Sequence, residues 1–388
     1  MEGLVAVAPK NSNPENPNPE NLRPDQFWKS KRVFLTGHTG FKGSWLALWL
    51  QHLGADVTGY ALDPPTEPSL FHKADVAACM HSVIGNLRDA AILTSVMQSA
   101  QPEIVFHLAA QPLVRHSYAD PVGTYETNVL GTIHLLEAVR KTPSVRGVVV
   151  ITTDKCYENK EWIWPYRETD PLGGYDPYSS SKACAEIVTG SWRDSFFNPA
   201  QYAEHKVAVA SARAGNVIGG GDWASDRLIA DIVRAFSSGK ALEIRNPAAT
   251  RPWQHVLEPL RGYLILAEKL HTGGVRYASA WNFGPHATDA QPVEWIVRYL
   301  SAKWGSGTQW TLDAHEHVYG AQVLHEAQML KLDWSKAHAA LGWQPVLALP
   351  EALDYTLDWY QRESAGARAR ELCLEQIVSY SEKATPAF

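Results

Sequence analysis

The chain has 388 residues, 45% of them hydrophobic and 20% charged, with a net charge of −6 and a pI near 6.2. That composition suits a globular protein with room for a large core and two lobes, and it offers no basic footprint for nucleic acid. No run approaches the roughly 18 apolar residues of a membrane helix. The N-terminus lacks the parts of a signal peptide, and the four scattered cysteines, without metal-ligand spacing, suit reduced thiols in a cytoplasmic protein that binds no metal.

Residues 1–26 are dominated by Asn, Pro and Glu, bury too little to offset their ordering entropy, and read as a flexible extension. The folded part begins near Phe27. A short strand at 32–36 runs into Gly37-His-Thr-Gly40-Phe-Lys-Gly43, and a helix is expected over 44–53. Strand, glycine loop and helix in that order form a dinucleotide-binding signature. Gly37 serves the tight turn, Gly40 the approach of a pyrophosphate, and Gly43 close packing of helix on strand. The helix N-terminus adds amide donors for phosphate. A second strand at 56–62 ends beside Asp63, an acid placed to hold a ribose diol and repel a 2′-phosphate, so NAD is favoured over NADP.

Strands at 103–108, 147–152 and 206–211 alternate with helices at 120–140 and 178–197. This rhythm predicts an α/β protein with a Rossmann-type, doubly wound parallel sheet. The residues after the 103–108 strand, Ala109-Ala110-Gln111, are small enough to lie under a flat cofactor. The run Gly147-Val-Val-Val-Ile-Thr152 reads as a strand buried on both faces. At its carboxyl end, where open α/β sheets bind ligands, stand Thr153, Asp154 and Lys155. Tyr178 and Lys182 share one helix face at i and i+4. An ammonium there lowers a tyrosine pKa that is otherwise about 10 and makes Tyr178 a base near neutral pH.

The rhythm breaks after about residue 213, so 27–212 reads as the nucleotide-binding domain. Residues 213–388 read as mainly a smaller mixed α/β substrate lobe, with segments returning to the first domain. A glycine-rich loop runs from Arg213 through Asn216 to Asp222-Trp223, with Arg227, Arg245 and Arg251 beyond it, then Pro252-Trp-Gln254-His255. Guanidinium groups and aromatic planes are what a diphosphate and a base require. Candidate substrate contacts are therefore Arg115, Arg213, Asn216 and Trp223, with Arg227, Arg251 and Gln254.

With the glycine loop, Asn128, Thr153 and Tyr178-x-x-x-Lys182 in this order, the chain resembles the extended short-chain dehydrogenase/reductase superfamily. The acid after Thr153 narrows the likeness to the nucleotide-sugar 4,6-dehydratases, since 4-epimerases of the superfamily typically carry Ser-Ser-Ala there. The runs 152–162, 166–182, 214–223 and 251–260 look like those of the dehydratases acting on CDP-glucose.

The resemblance implies tightly held NAD, touched by Gly37, Thr39, Gly40, Phe41 and Gly43, then Asp63, Asn86 and Leu87. Leu108, Ala109, Ala110, Gln111, Asn128, Tyr178 and Lys182 complete that set. Relatives commonly have Gly-Asp-Ile where this chain has Gly85-Asn86-Leu87, and Asn86 can still bond an adenine amine. It implies that Tyr178, helped by Lys182 and Thr153, deprotonates the sugar C4 hydroxyl as hydride passes to NAD. Asp154 then protonates the departing C6 hydroxyl, Lys155 removes the C5 proton, and hydride returns to C6. A neutral lysine near pH 7 requires a drop of roughly 3 units, about 4 kcal/mol; the alternative is a charged Lys155 that stabilises the enolate. It further implies a homodimer joined by a four-helix bundle of the helices at 120–140 and 178–197, in supply of 6-deoxyhexoses for lipopolysaccharide O-antigen. Other readings are a dehydratase of a different nucleotide hexose, a 4-epimerase, and a non-catalytic NAD-binding regulator.

Overall fold

The computed structural model describes residues 24–384 apart from 226, 245, 306–307, 313–317, 320–321 and 324–328. Most of the expected extension, and Arg245, lie outside the described residues. The end of that extension is already structured. Pro24–Trp28 forms a helical turn that buries Phe27 and Trp28, with the Trp28 ring 6.1 Å from Phe106.

Seven strands form one sheet: β1 (Arg32–Thr36), β2 (Asp56–Ala61), β3 (His81–Ile84), β4 (Ile104–His107), β5 (Gly147–Ile151), β6 (Ala208–Ala214) and β7 (Ala280–Phe283). Their order is 3-2-1-4-5-6-7 and every neighbouring pair is parallel. The chain winds outward from β1 in one direction, then restarts with β4 on its other side. The carboxyl ends of β1 and β4, paired through Thr36 and His107, therefore flank the switch-point crevice where such sheets bind ligands.

Both faces of the sheet are covered, as parallel pairing demands, and successive residues divide between them. Val33, Leu35, Phe106, Val149 and Ile151 pack with helix α1 (Phe41–His52) on one face. Phe34, Val105, Val148 and Val150 pack on the other with α2 (Ala90–Ala100) and with α4 (Gly131–Arg140), which follows the short helix α3 (Pro121–Tyr125). Helix α5 (Pro177–Ser195) adds Val188 and Trp192 to that face, and α6 (Leu257–Gly273) covers β5 and β6 on the first.

The structure departs from the expected elements at instructive places. The helix expected at 120–140 is interrupted by a π-helical turn at Glu126–Leu130. The strand expected at 206–211 begins at Ala208, because Lys206 is left-handed at φ 57°, and continues to Ala214. Strand β7 was not read from the sequence, and it brings the C-terminal lobe back to the sheet edge. That lobe is stitched by short pairings, Val217–Ile218 with Gln254–His255 and Thr250–Pro252 with Ala290–Pro292. Helices α7 (Leu349–Ser364) and α8 (Ala369–Ala384) return to α1, where Trp49 meets Tyr380 edge to face at 5.9 Å. Trp45 of α1 donates to Gly220 O at 2.9 Å, which ties the second glycine loop to the first domain.

Candidate active site

The first glycine loop is shaped by backbone contacts that exclude side chains. Gly37 has φ +79°, and a Cβ on it would lie 2.7 Å from Ala109 N; the ends of β1 and β4 touch there. A Cβ on Gly43 would lie 2.0 Å from Gly37 O, so the helix is seated directly on the turn. Gly40 caps α1 with no side-chain bond, and no acid occupies the first helical turn. Amides in that first turn are left to a ligand. Helix α1 starts at Phe41, three residues earlier than expected, which puts Phe41 inside it.

Thr39 Oγ1 donates to Leu62 O at 2.8 Å and holds the loop against the end of β2, beside exposed Asp63. Asn86 is exposed; its Oδ1 accepts from Arg88 N at 2.9 Å, and its carbonyl accepts from Tyr60 OH at 3.0 Å. The side chain of Leu87 is buried in the core beneath α4, which leaves its backbone to face the cofactor crevice. Leu108, Ala109, Ala110 and Gln111 line the exit of β4, each half-buried. The Gln111 amide is used within the protein, donating to Thr124 Oγ1 at 2.9 Å and accepting from Leu113 N at 2.6 Å. Asn128 stands in the π turn, a feature often found at functional sites. Its Oδ1 accepts from Gln111 N at 2.8 Å, and its Nδ2 donates to Ser181 Oγ at 2.9 Å. Asn128 thus clamps the crevice wall to the helix that carries Tyr178 and Lys182.

Across the crevice, β5 ends and Thr153 caps a 3-10 turn, Asp154–Cys156, with Lys155 N–H donating to its Oγ1 at 3.4 Å. Thr153 Oγ1 donates to Asp154 Oδ1 at 3.0 Å. Asp154 is 2% exposed, and burial pushes its carboxyl above the usual range against the pull of Lys155 and its own hydrogen bond. The second glycine loop closes over it: a Cβ on Gly215 would lie 3.0 Å from Asp154 Oδ2. Lys155 is half-buried.

Helix α5 opens with Asp176 accepting from Ser179 N at 2.9 Å and with Pro177 in its first turn. This start fixes Tyr178 and, one turn on, Lys182, whose Nζ donates to Ile151 O at 3.1 Å. Burial lowers Lys182 to about 8, with Glu186 opposing. Tyr178 is pushed up to about 12 by burial, against a hydrogen bond with Thr153 and the charge of Arg227. Here the structure corrects the sequence reading. Burial outweighs the groups that favour the phenolate, Thr153 and Arg227, and Lys182 directs one of its N–H groups at the strand carbonyl.

The second lobe also redistributes the expected substrate contacts. Arg213 is 3% exposed. Its Nη2 donates to Glu186 Oε2 at 2.8 Å, and its Nη1 to Tyr157 OH at 2.8 Å. It is a buried strut in place of a substrate ligand, because β6 runs through Ala214 and encloses it. Gln254 is 2% exposed and donates to Phe283 O at 3.0 Å; its backbone N–H bonds Asn216 O at 3.1 Å. Trp223 packs edge-on to Trp359 at 5.7 Å. Arg227 reaches Asp222 at 3.5 Å and projects charge toward Tyr178, and Arg251 acts electrostatically on Asp154. Arg115 is half-buried on the helix Val114–Ala119.

Lys42 and Glu186 were missed. Lys42 is half-buried, lies within reach of the charges of Arg227, Lys182 and Asp154, and its Nζ donates to Tyr263 OH at 3.2 Å. Burial, Arg227 and Lys182 together lower it to about 7. The available signal was a cation in the first turn of a helix, where the dipole disfavours it. Glu186 lies at i+4 from Lys182, and that spacing was its signal. Burial alone would push Glu186 up, but the Arg213 guanidinium overrides it and holds the carboxylate below its usual range. Among the described residues no three His, Cys, Asp or Glu side chains gather as a metal site, and no helix is long and apolar enough to cross a membrane.

A parallel sheet in this order, a glycine loop at its switch point and a Tyr-x-x-x-Lys helix beside it define an extended short-chain dehydrogenase/reductase fold. A solved UDP-glucose 4-epimerase from Thermotoga maritima shares that fold at TM-score 0.69 and 22% identity, over 86% of this chain and 99% of the other. A dTDP-glucose 4,6-dehydratase from Streptomyces venezuelae, solved with NAD and TYD bound, does so at TM-score 0.68 and 23% identity, over 86% and 98%. The chain belongs to the GDP-mannose 4,6-dehydratase family, whose model matches residues 34–356. It is 55% identical to a CDP-glucose 4,6-dehydratase of Salmonella typhimurium over 92% of its own length and 98% of the relative's.

Proposed function

We propose that this protein is a NAD-dependent hydro-lyase that converts CDP-D-glucose into CDP-4-keto-6-deoxy-D-glucose and water. The observation that carries the reading is Asp154. A carboxyl that burial keeps toward its protonated form stands on the hydroxyl that also serves Tyr178. An acid so placed suits expulsion of a C6 hydroxyl, and epimerisation at C4 has no use for it. The choice of CDP-glucose rests on the 55% identical relative of that name.

The crevice fits NAD. The glycine turn has no room for Cβ atoms at Gly37 and Gly43, the uncapped start of α1 meets a pyrophosphate, and Asp63 at the end of β2 suits an unphosphorylated ribose. The chemistry NAD supplies is storage of the C4 hydride until C6 can accept it. Tyr178 accepts the O4 proton, and Thr153 orients that hydroxyl. Oxidation at C4 acidifies the C5 hydrogen, which Lys155 removes. Asp154 protonates the C6 oxygen, and the second glycine loop over Asp154 keeps bulk water from that step. The charges that Arg227 and Arg251 bring toward Tyr178 and Asp154 would serve the substrate diphosphate.

With Asp154→Asn, C4 oxidation persists while dehydration slows by about 10²–10⁴-fold, the usual worth of a positioned acid. Mass spectrometry of the nucleotide sugar then finds a hexose oxidised at C4 that keeps its C6 oxygen. Release of the 6-deoxy product at the parent rate would sink the assignment of Asp154.

A homodimer through α3, α4 and α5 is part of the proposal. Val122, Leu130 and Ile187 on this face are 66%, 46% and 60% exposed, apolar side chains that a second copy would cover. A cytoplasmic location and a role in supplying 6-deoxyhexoses to O-antigen complete the reading.

A further inference from the structure

His107 stands at the end of β4, 3% exposed, with both ring nitrogens engaged. Its Nδ1 lies 2.8 Å from Thr36 Oγ1 at the end of β1, and its Nε2 lies 3.1 Å from Thr132 Oγ1 in the first turn of α4. The neighbours decide which nitrogen carries the proton. A threonine hydroxyl has one proton to give, and Thr132 gives it to Asn128 O at 2.7 Å. Thr132 must therefore accept from His107, so Nε2 is protonated. Burial and the charge of Lys182 lower the ring to about 3, which leaves it neutral and Nδ1 bare. Thr36 then donates to Nδ1 and accepts from Ala109 N–H at 3.2 Å.

Every proton along this row has one place. Ala109 N–H points to Thr36, Thr36 to His107, His107 to Thr132, and Thr132 to the Asn128 carbonyl. The row starts at the cofactor turn, since Ala109 N is the atom that a Cβ on Gly37 would meet. It ends in the π turn, where the Asn128 side chain holds Ser181 of α5, and Ser181 Oγ donates to Tyr178 O at 2.7 Å. Thr36, Thr132 and Asn128 are buried, so water does not compete for these bonds. A histidine kept only for packing would be indifferent to direction. Here, with the proton on Nδ1 instead, Nε2 and Thr132 Oγ1 would face each other as two acceptors, and the Thr36 proton would lose its acceptor.

We propose that His107, as its Nε2–H tautomer, is a positioning residue that sets the cofactor turn through Nδ1 and the catalytic helix through Nε2–H. It acts through Thr36 and Ala109 on one side, and through Thr132, Asn128 and Ser181 on the other. A cofactor seated on the glycine turn and the hydroxyl of Tyr178 thereby keep a fixed separation. Rates are steep in such distances, and a displacement of about 1 Å costs up to about 10²-fold. The inference rests on the dehydratase reading above.

Asparagine and glutamine each keep one half of the ring's bonding, because the amide of Asn falls near Nδ1 and that of Gln near Nε2. His107→Asn retains an acceptor for Thr36 and loses the donor to Thr132. It is expected to bind NAD as the parent does and to lose about 10²-fold in kcat on CDP-glucose, with KM little changed. His107→Gln retains the donor and loses the acceptor. Its NAD affinity should fall about tenfold, one hydrogen bond's worth, while kcat at saturating NAD stays close to the parent's. Nitrogen NMR of the His107 imidazole in the parent gives a readout that needs no variant to fold: Nε2 protonated and Nδ1 bare at neutral pH. A ring protonated at Nδ1 would overturn the proposal. So would two variants that lose NAD affinity and kcat alike, in step with their unfolding midpoints. A parent protein that binds NAD but forms no 4-keto-6-deoxy sugar removes the dehydratase reading instead, and that outcome is visible before any variant is made.

Discussion

Tyr178→Phe is expected to lower product formation from CDP-glucose by about 10²–10⁴-fold, the range for losing a positioned proton acceptor. The ring is 9% exposed, and phenylalanine fills the same space, so packing survives. The deleted hydroxyl interacts with Thr153, and even a full hydrogen bond is worth only about 1 kcal/mol in net stability. NAD retention and the unfolding midpoint should therefore stay close to the parent's while turnover collapses. Keto-sugar formation together with NAD bound per chain separates the two effects. A variant within tenfold of the parent rate would remove Tyr178 from the chemistry.

Arg213→Met carries the largest expected effect on stability, about 3–5 kcal/mol, because it strands a buried carboxylate. Glu186 is 5% exposed and bonds Thr152, Ser211 and Arg213. Its folded-state pKa is held below the unfolded value, so the pair contributes stability above the ordinary carboxylate range and loses it as pH falls through the depressed value. Replacing both partners, Arg213→Met with Glu186→Met, should restore most of the loss, since the cost lies in the orphaned charge. The single variant should also reduce kcat more than it raises KM. Tyr157, which Arg213 and Asn282 hold at 2.8 and 2.7 Å, directly follows the Asp154–Cys156 turn. Equilibrium urea unfolding of the two variants checks the account; a single variant as stable as the parent would contradict it.

What could be read from the sequence was what local rules determine. The β5 run is continuously apolar and β-branched, and the Thr-Asp-Lys that follows it stands where a strand of a doubly wound sheet meets ligand. The glycine loop is legible for a different reason: its spacing reflects backbone contacts that admit no Cβ. Tyr178 and Lys182 follow from helical spacing. Long-range register was not legible. Arg213 looked like a free guanidinium because β6 was ended at residue 211, and three more strand residues bury it against Glu186. Gln254 was read as a substrate contact on composition, but the lobe packs it inward, where it donates to Phe283 O. Strand β3 is a half-exposed edge and β7 is four residues long, so neither has much periodicity to recognise. Lys42 was hidden by its motif: attention went to the glycines around it.

The central claim is that a buried acid beside Thr153 makes this a dehydratase, and that its hexose is cytidine-linked, as in the 55% identical relative. The most direct test is to incubate the purified protein separately with CDP-glucose, dTDP-glucose and GDP-mannose and identify the products by mass spectrometry. The account predicts a 4-keto-6-deoxy sugar from CDP-glucose in strong preference to the others. Conversion of CDP-glucose to a C4 epimer, or no conversion of any of the three by NAD-loaded protein, would contradict it.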